Sequence, residues 1–157
     1  MEVIGALFDG IFVALEPINL GLAIIGVVVG LFVGAKPGLG SVNGVAILLP
    51  FTFVIQNFTG GATSPMIFLA AVYYGAMYGG AISSIALGIP GASTAVATAF
   101  DGRPLALKGK AQVALMTAAL ASFIGATVAN LLFTGFAPLL ASVALNFGNP
   151  EIFALML

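Results

Sequence analysis

Cysteine and histidine are both absent from this chain of 157 residues, and only 6% of its residues are charged. Without thiols or imidazoles the usual zinc, haem and thiol chemistries are excluded, and neither hydrolytic nor redox catalysis is expected. The missing cysteines leave the redox compartment open. Soluble globular domains carry about 25% charged residues, whereas this chain is 61% hydrophobic with a mean hydropathy of +1.23. It reads as an integral membrane protein. A net charge of −1 and a pI near 4.9 offer no basic surface for nucleic acid. The few charges are also confined, for no Asp, Glu, Lys or Arg occurs from Pro37 through Phe100 or from Ala111 through Pro150. Those two blocks are expected to hold most of the membrane-embedded mass. The opening MEVIGALFDG lacks the basic region of a secretory signal, so the first residues read as mature protein.

What is present is organised around Ala35 to Phe53, AKPGLGSVNGVAILLPFTF. A Pro/Gly break followed by a short helix places free backbone N–H groups, and the positive end of a helix dipole, at membrane depth. Such a break is tolerated only where it is packed in protein or lines a wet cavity, which points to a site for something anionic. Pro-Gly is equally a common turn between two ordinary helices. Both readings stand on the residues alone.

Glu2, Asp9 and Glu16 recur every seven residues, which places three carboxylates on one stripe of an amphipathic helix over residues 1–17. The stripe is either a solvated face or a docking face for a partner. From Ile18 to Ala35 eighteen uncharged residues follow, enough to cross most of a roughly 30 Å core. Gly26, Gly30 and Gly34 are spaced four apart in it, a groove for another helix. Val42 to Ile55 contains Pro50 and is short for a span, so a half-helix or re-entrant segment is expected. Gln56 to Pro65 reads as a polar turn, and Met66 to Ile89 as a second long span.

That second span holds all three tyrosines, Tyr73, Tyr74 and Tyr78. Their hydroxyls need partners, across a helix contact or in a hydrated pathway that Tyr74 and Tyr78 would line. Ile89-Pro90-Gly91-Ala92-Ser93-Thr94 then echoes the first break at an offset of 53 residues. Residues 101–110 carry three of the four basic side chains, so this loop is expected to face the cytoplasm. Ala111 to Phe133 reads as a third span with a small, polar stripe at Ala114, Ala118, Ser122, Ala126 and Asn130. Ala137 to Phe147 is a shorter apolar piece, and Glu151 to Leu157 begins another hydrophobic segment. A chain that stops inside an apparent helix is expected to be a fragment.

Four blocks carry a wider resemblance: GAKPGLGSVNGVAILLPFTF (34–53), AAVYYGAMYGGAISSIALGIPGAS (70–93), TAFDGRPLALKGKAQVAL (98–115) and FAPLLASVALNFGNPEIFALM (136–156). In this order and spacing they resemble the N-terminal third of the large permease subunit of the tripartite tricarboxylate transporters, the TctA family. The resemblance implies an ion-coupled secondary transporter for citrate and related di- or tricarboxylates in the bacterial inner membrane. It also implies two partners, a small membrane subunit and a periplasmic solute-binding protein, with sodium or the proton as coupling ion and no cofactor. The family's PGLG motif falls on Pro37, Gly38, Leu39 and Gly40, its second Pro-Gly motif on Pro90 and Gly91, and its YYGAMYGG block on Tyr73 to Gly80. The chain departs from the family pattern at Lys36, usually apolar, at Gly88, commonly Asn, and at Ala92, frequently polar.

The fold expected is therefore an all-α polytopic bundle, a single transmembrane domain over 1–157 made of the amphipathic segment 1–17 and a membrane-embedded bundle over 18–157, with three or four spans and two broken or re-entrant segments. By analogy it is part of an inverted-repeat transporter. The candidate substrate residues are Lys36, Pro37, Gly38, Gly40, Ser41, Asn43, Pro90, Gly91, Ser93 and Thr94. Helix N-termini after the two breaks supply N–H donors, and the side chains of Ser41, Asn43, Ser93 and Thr94 supply further donors, or oxygens for a sodium ion. Lys36 either pairs with a substrate carboxylate or snorkels to the interface. The rival readings are a non-transporting membrane module and a channel-like pore, and self-association is open in each.

Overall fold

The computed structural model describes residues 2–144 together with Gly148 and Ala154. The expected apolar segment over 151–157, and the end of the 137–147 piece, lie outside the described residues apart from those two positions. Six α-helices follow in order: α1 (Glu2–Ala14), α2 (Pro17–Ala35), α3 (Gly40–Thr59), α4 (Thr63–Leu87), α5 (Val96–Leu105) and α6 (Ala111–Ala144). A single 3-10 turn, Ser93–Ala95, leads into α5, and a π turn, Ala106–Lys110, leads out of it. No strand occurs among the described residues. Four stretches are long and apolar enough to cross a membrane: Pro17–Ala35, Gly40–Thr59, Thr63–Leu87 and Ser93–Ser142. The all-α polytopic architecture read from composition is the one observed. The chain divides into two compact units, Met1–Ala119 and Leu120–Leu157.

In the first unit, α1 ends at a tight turn that one side chain organises. Asn19 is 1% exposed, and its amide donates to the Val13 carbonyl at 2.7 Å and to Glu16 Oε2 at 3.3 Å. The Val13 carbonyl, at the end of α1, thus accepts from both the Asn19 amide and the Glu16 N–H, the latter at 3.3 Å. Pro17 stands at the first position of α2, where a missing N–H costs nothing. Asp9 and Glu16 are both exposed, while the Glu2 side chain lies outside the described residues.

The core is the pair α2 and α4, and it is built on glycine. A Cβ on Gly26 would lie 2.8 Å from the Phe68 carbonyl and from Ala71 Cβ. Further along, Gly30 abuts Val72 and Ala76, Gly34 abuts the Ala76 carbonyl, and Gly79 abuts Leu31, Gly34 and Ala35. The contacts rise together in both helices, so α2 and α4 run parallel with their backbones in contact. Dispersion and close packing of this kind replace hydrophobic burial as the cohesive term inside a bilayer. Of the larger apolar side chains among the described residues, only Val72 and Ile85 are fully buried.

Helix α3 returns antiparallel to them, and here the structure differs from the expected half-helix. It runs 20 residues, through Pro50 and through Gln56-Asn57-Phe58-Thr59, and stops at Gly60 in the left-handed conformation. Within it the Thr52 and Thr59 hydroxyls donate to the Leu49 and Ile55 carbonyls, which satisfies those two side chains inside the helix. The turn expected over 56–65 shrinks to the three residues between Thr59 and Thr63.

The second break does fold back. Ala92 and Ala95 pack against Gly80, about two turns before the end of α4. From there α5 runs beside the last turns of α4, with Gly102 against Ile85. The Arg103 guanidinium donates to the Ala86 carbonyl, capping α4. Residues 101–105 are thus helix where a loop is expected. The chain then turns at Gly109, φ 77°, and α6 begins its return with Ala114 buried.

The second unit is described through residue 144 of α6. This helix continues past Phe133 and through Pro138, where the sequence suggests two pieces. Thr127, Thr134 and Ser142 donate to the Phe123, Asn130 and Leu139 carbonyls. That arrangement suits a helix with apolar surroundings.

Candidate functional site

The first break is a turn that only glycine makes easily. Gly38 and Gly40 have φ of +86° and +68°, in the region where a side chain would meet the backbone. They let the chain leave α2 and re-enter as α3 within four residues. The N–H groups of the first turn of α3, like those of any helix, lack intrahelical acceptors, and no side chain caps them.

Parallel α2 and α4 bring both breaks to one place. Gly91 is buried against the Gly34 carbonyl, and a Cβ there would sit 2.8 Å from Gly80 Cα and from Ser83 Oγ. The result is a cleft of about 550 Å³ whose wall includes Gly38, Gly40, Ser41 and Asn43 from the first break, and Pro90, Gly91, Ser93 and Thr94 from the second. The whole first turn of α3, Gly40 to Asn43, lines it. Eight of the ten substrate-site candidates therefore meet in one cavity. Asn43, Ser93 and Thr94 are exposed to it, whereas Ser41 is buried.

Lys36 and Pro37 are exposed and are not part of the cleft wall. Lys36 is instead the C-terminal cap of α2, its N–H donating to the Val33 carbonyl. The tyrosines also divide. Tyr78 donates to the Leu115 carbonyl of α6 at 3.0 Å, the helix contact among the two alternatives. Tyr74 meets Tyr73 edge to face, with ring centroids 6.1 Å apart, and Tyr73 is the tyrosine that lines the cleft.

One side chain in the cleft carries no signal in the sequence. Met77, on α4, receives the Ser41 hydroxyl at 3.3 Å and the Thr94 hydroxyl at 3.7 Å on its sulfur. A methionine in a helix is ordinarily packing material, and only the approach of both breaks to α4 reveals the contact. Among the described residues no three His, Cys, Asp or Glu side chains cluster, so a cation held here would take neutral oxygens.

The fold and cleft define a polytopic helical membrane protein whose candidate site is made where two segments break beside a helix pair. Within that class the chain belongs to the tripartite tricarboxylate transporter TctA family, whose model matches residues 20–157. It is 46% identical over 156 residues to an uncharacterized 52.8 kDa protein in the TAR-I ttuC' 3' region of Agrobacterium vitis, with 99% of this chain and 30% of that protein covered. The chain thus spans less than a third of the relative's length. No solved structure matches it.

Proposed function

We propose that this chain forms part of a membrane permease, not an enzyme, that takes up citrate-like di- and tricarboxylates by ion-coupled secondary transport. A periplasmic solute-binding protein delivers the solute, a small membrane subunit completes the transporter, and sodium or the proton drives it across the bacterial cytoplasmic membrane. The observation that supports this reading is the convergence of both Pro-Gly breaks on one cleft, with the uncapped first turn of α3 in its wall. Free N–H groups with a helix dipole behind them suit a carboxylate. The hydroxyls of Ser93 and Thr94 and the Asn43 amide add neutral donors. A multiply charged solute also needs fixed positive charge, and none lines this cleft. The rest of a protein the length of the A. vitis relative supplies that charge, as the second half of a repeat-built transporter site does.

Asn43 and Ser93 are exposed, so altering them leaves the packing intact. In the complete transporter reconstituted with its partners, Asn43→Leu and Ser93→Ala each raise the KM for citrate by roughly three- to tenfold, the worth of one hydrogen bond. Unchanged KM in both and in the double variant would overturn the proposal.

A further inference from the structure

Met77 is the residue that ties the two breaks together, and its chemistry decides how they receive a solute. Ser41 lies in the first turn after the first break, and Thr94 lies in the turn after the second. Each hydroxyl has a single proton to give, and both are given to the same sulfur. Ser41 is 5% exposed, so water replaces that contact poorly. A thioether is a weak acceptor, and a carboxylate is a strong one whose hydrogen bonds are roughly twice as strong as neutral ones. A hydroxyl resting on sulfur is therefore kept satisfied and ordered while remaining easy to win.

We infer that Met77 is a positioning residue, the resting hydrogen-bond acceptor for Ser41 and Thr94. A substrate carboxylate takes both hydroxyls from it on binding. This rests on the carboxylate reading of the cleft. The exchange moves protons only by rotation about two C–O bonds, with no bond made or broken. Both breaks take part, because the two hydroxyls rest on the one sulfur. A stronger acceptor at this position would hold the hydroxyls back, and a residue with no acceptor would release them in advance.

Opposite substitutions therefore act in opposite directions. In the complete reconstituted transporter, Met77→Gln raises the KM for citrate and Met77→Leu lowers it, each by about two- to fivefold, and both effects disappear in a Ser41→Ala/Thr94→Ala background. A purely structural role moves both variants the same way and persists without the hydroxyls, and either result would overturn the inference. The contact has its own readout in 13C-methyl methionine spectra of the complete transporter, where the Met77 signal is assigned by its loss in Met77→Leu. That signal shifts in Ser41→Ala/Thr94→Ala without solute, and shifts in the wild type when citrate is added. Absence of the first shift rules out the resting contact. Citrate uptake by wild type with no divergence between the Met77→Leu and Met77→Gln transporters removes the inference and leaves the transport reading standing. No uptake of citrate or any other di- or tricarboxylate by the wild-type complex removes both.

Discussion

At the scale of single residues, glycine does opposite jobs at neighbouring positions of α2. Gly21 has nothing within 4 Å of a built Cβ, whereas Gly30 and Gly34 meet the backbone of α4. Adding a methyl to Gly30 or Gly34 forces the helices apart at a contact between main chains, which cannot yield as a side chain can. Gly30→Ala and Gly34→Ala are expected to destabilise the protein by about 1–3 kcal/mol or more, while Gly21→Ala is expected to be neutral. Thermal melting of the purified protein in detergent distinguishes them, and equal melting temperatures would refute the packing account. Gly91 belongs with the sensitive group, so a bulky residue there reports packing as well as the cleft. Lys36 lies outside the cleft wall, and its expected role is to snorkel at the end of α2. Lys36→Met in the complete transporter is expected to leave the KM for citrate within about twofold, less than the loss of one hydrogen bond, and a larger shift would place the ammonium on the solute.

Among the elements, the fold-back after α4 is held mainly by its neighbours. Gly88 leaves α4 in the left-handed conformation, φ 73°, one that Asn also tolerates, so an Asn in its place would meet the same backbone demand. Arg103 then covers the exposed end of α4 through the Ala86 carbonyl. Arg103→Leu removes a charged donor from a helix C-terminus and is expected to cost about 1–2 kcal/mol. Hydrogen exchange of the 84–105 backbone in detergent would show it as faster exchange confined to that region. Unchanged protection would show that packing alone holds the hairpin. The extent of α3 was not legible from its residues, because Pro50 and Gln56-Asn57 resemble terminators. Tertiary placement overrides them, because the end of α2 and the start of α4 fix where the chain must go.

For the first unit as a whole, the parallel course of α2 and α4 puts both breaks at one end and the Gly60–Ala62 turn at the other. Lys36 and Arg103, with Lys108 and Lys110 in the turn after α5, gather at the end with the breaks. These are all four basic residues of the chain. By the positive-inside rule that end is expected to face the cytoplasm, which labelling tests. These 157 residues contain no cysteine, so single replacements report position once any cysteine elsewhere in the complete protein is replaced. Lys36→Cys and Lys108→Cys are expected to react with a membrane-impermeant maleimide only in inside-out vesicles, and Gly61→Cys only in intact spheroplasts. Labelling of Lys36→Cys and Gly61→Cys from the same side would refute the antiparallel return of α3.

The sequence by itself determined that this is a helical membrane protein, where its first span lies, that it breaks at Pro37-Gly38 and Pro90-Gly91, and which family it resembles. The first three follow from composition, from apolar length and from backbone restrictions that are local to a few residues, and the resemblance rests on the four motif blocks. Only the tertiary structure decided that the two breaks, 53 residues apart in the chain, share one cleft. It also decided that Lys36, Pro37, Tyr74 and Tyr78 stand outside it while Met77 and Tyr73 stand within. The physical reason is that a small-residue groove specifies close approach but neither its partner nor its direction. The parallel docking of Gly26, Gly30 and Gly34 on α4 sets which side chains meet.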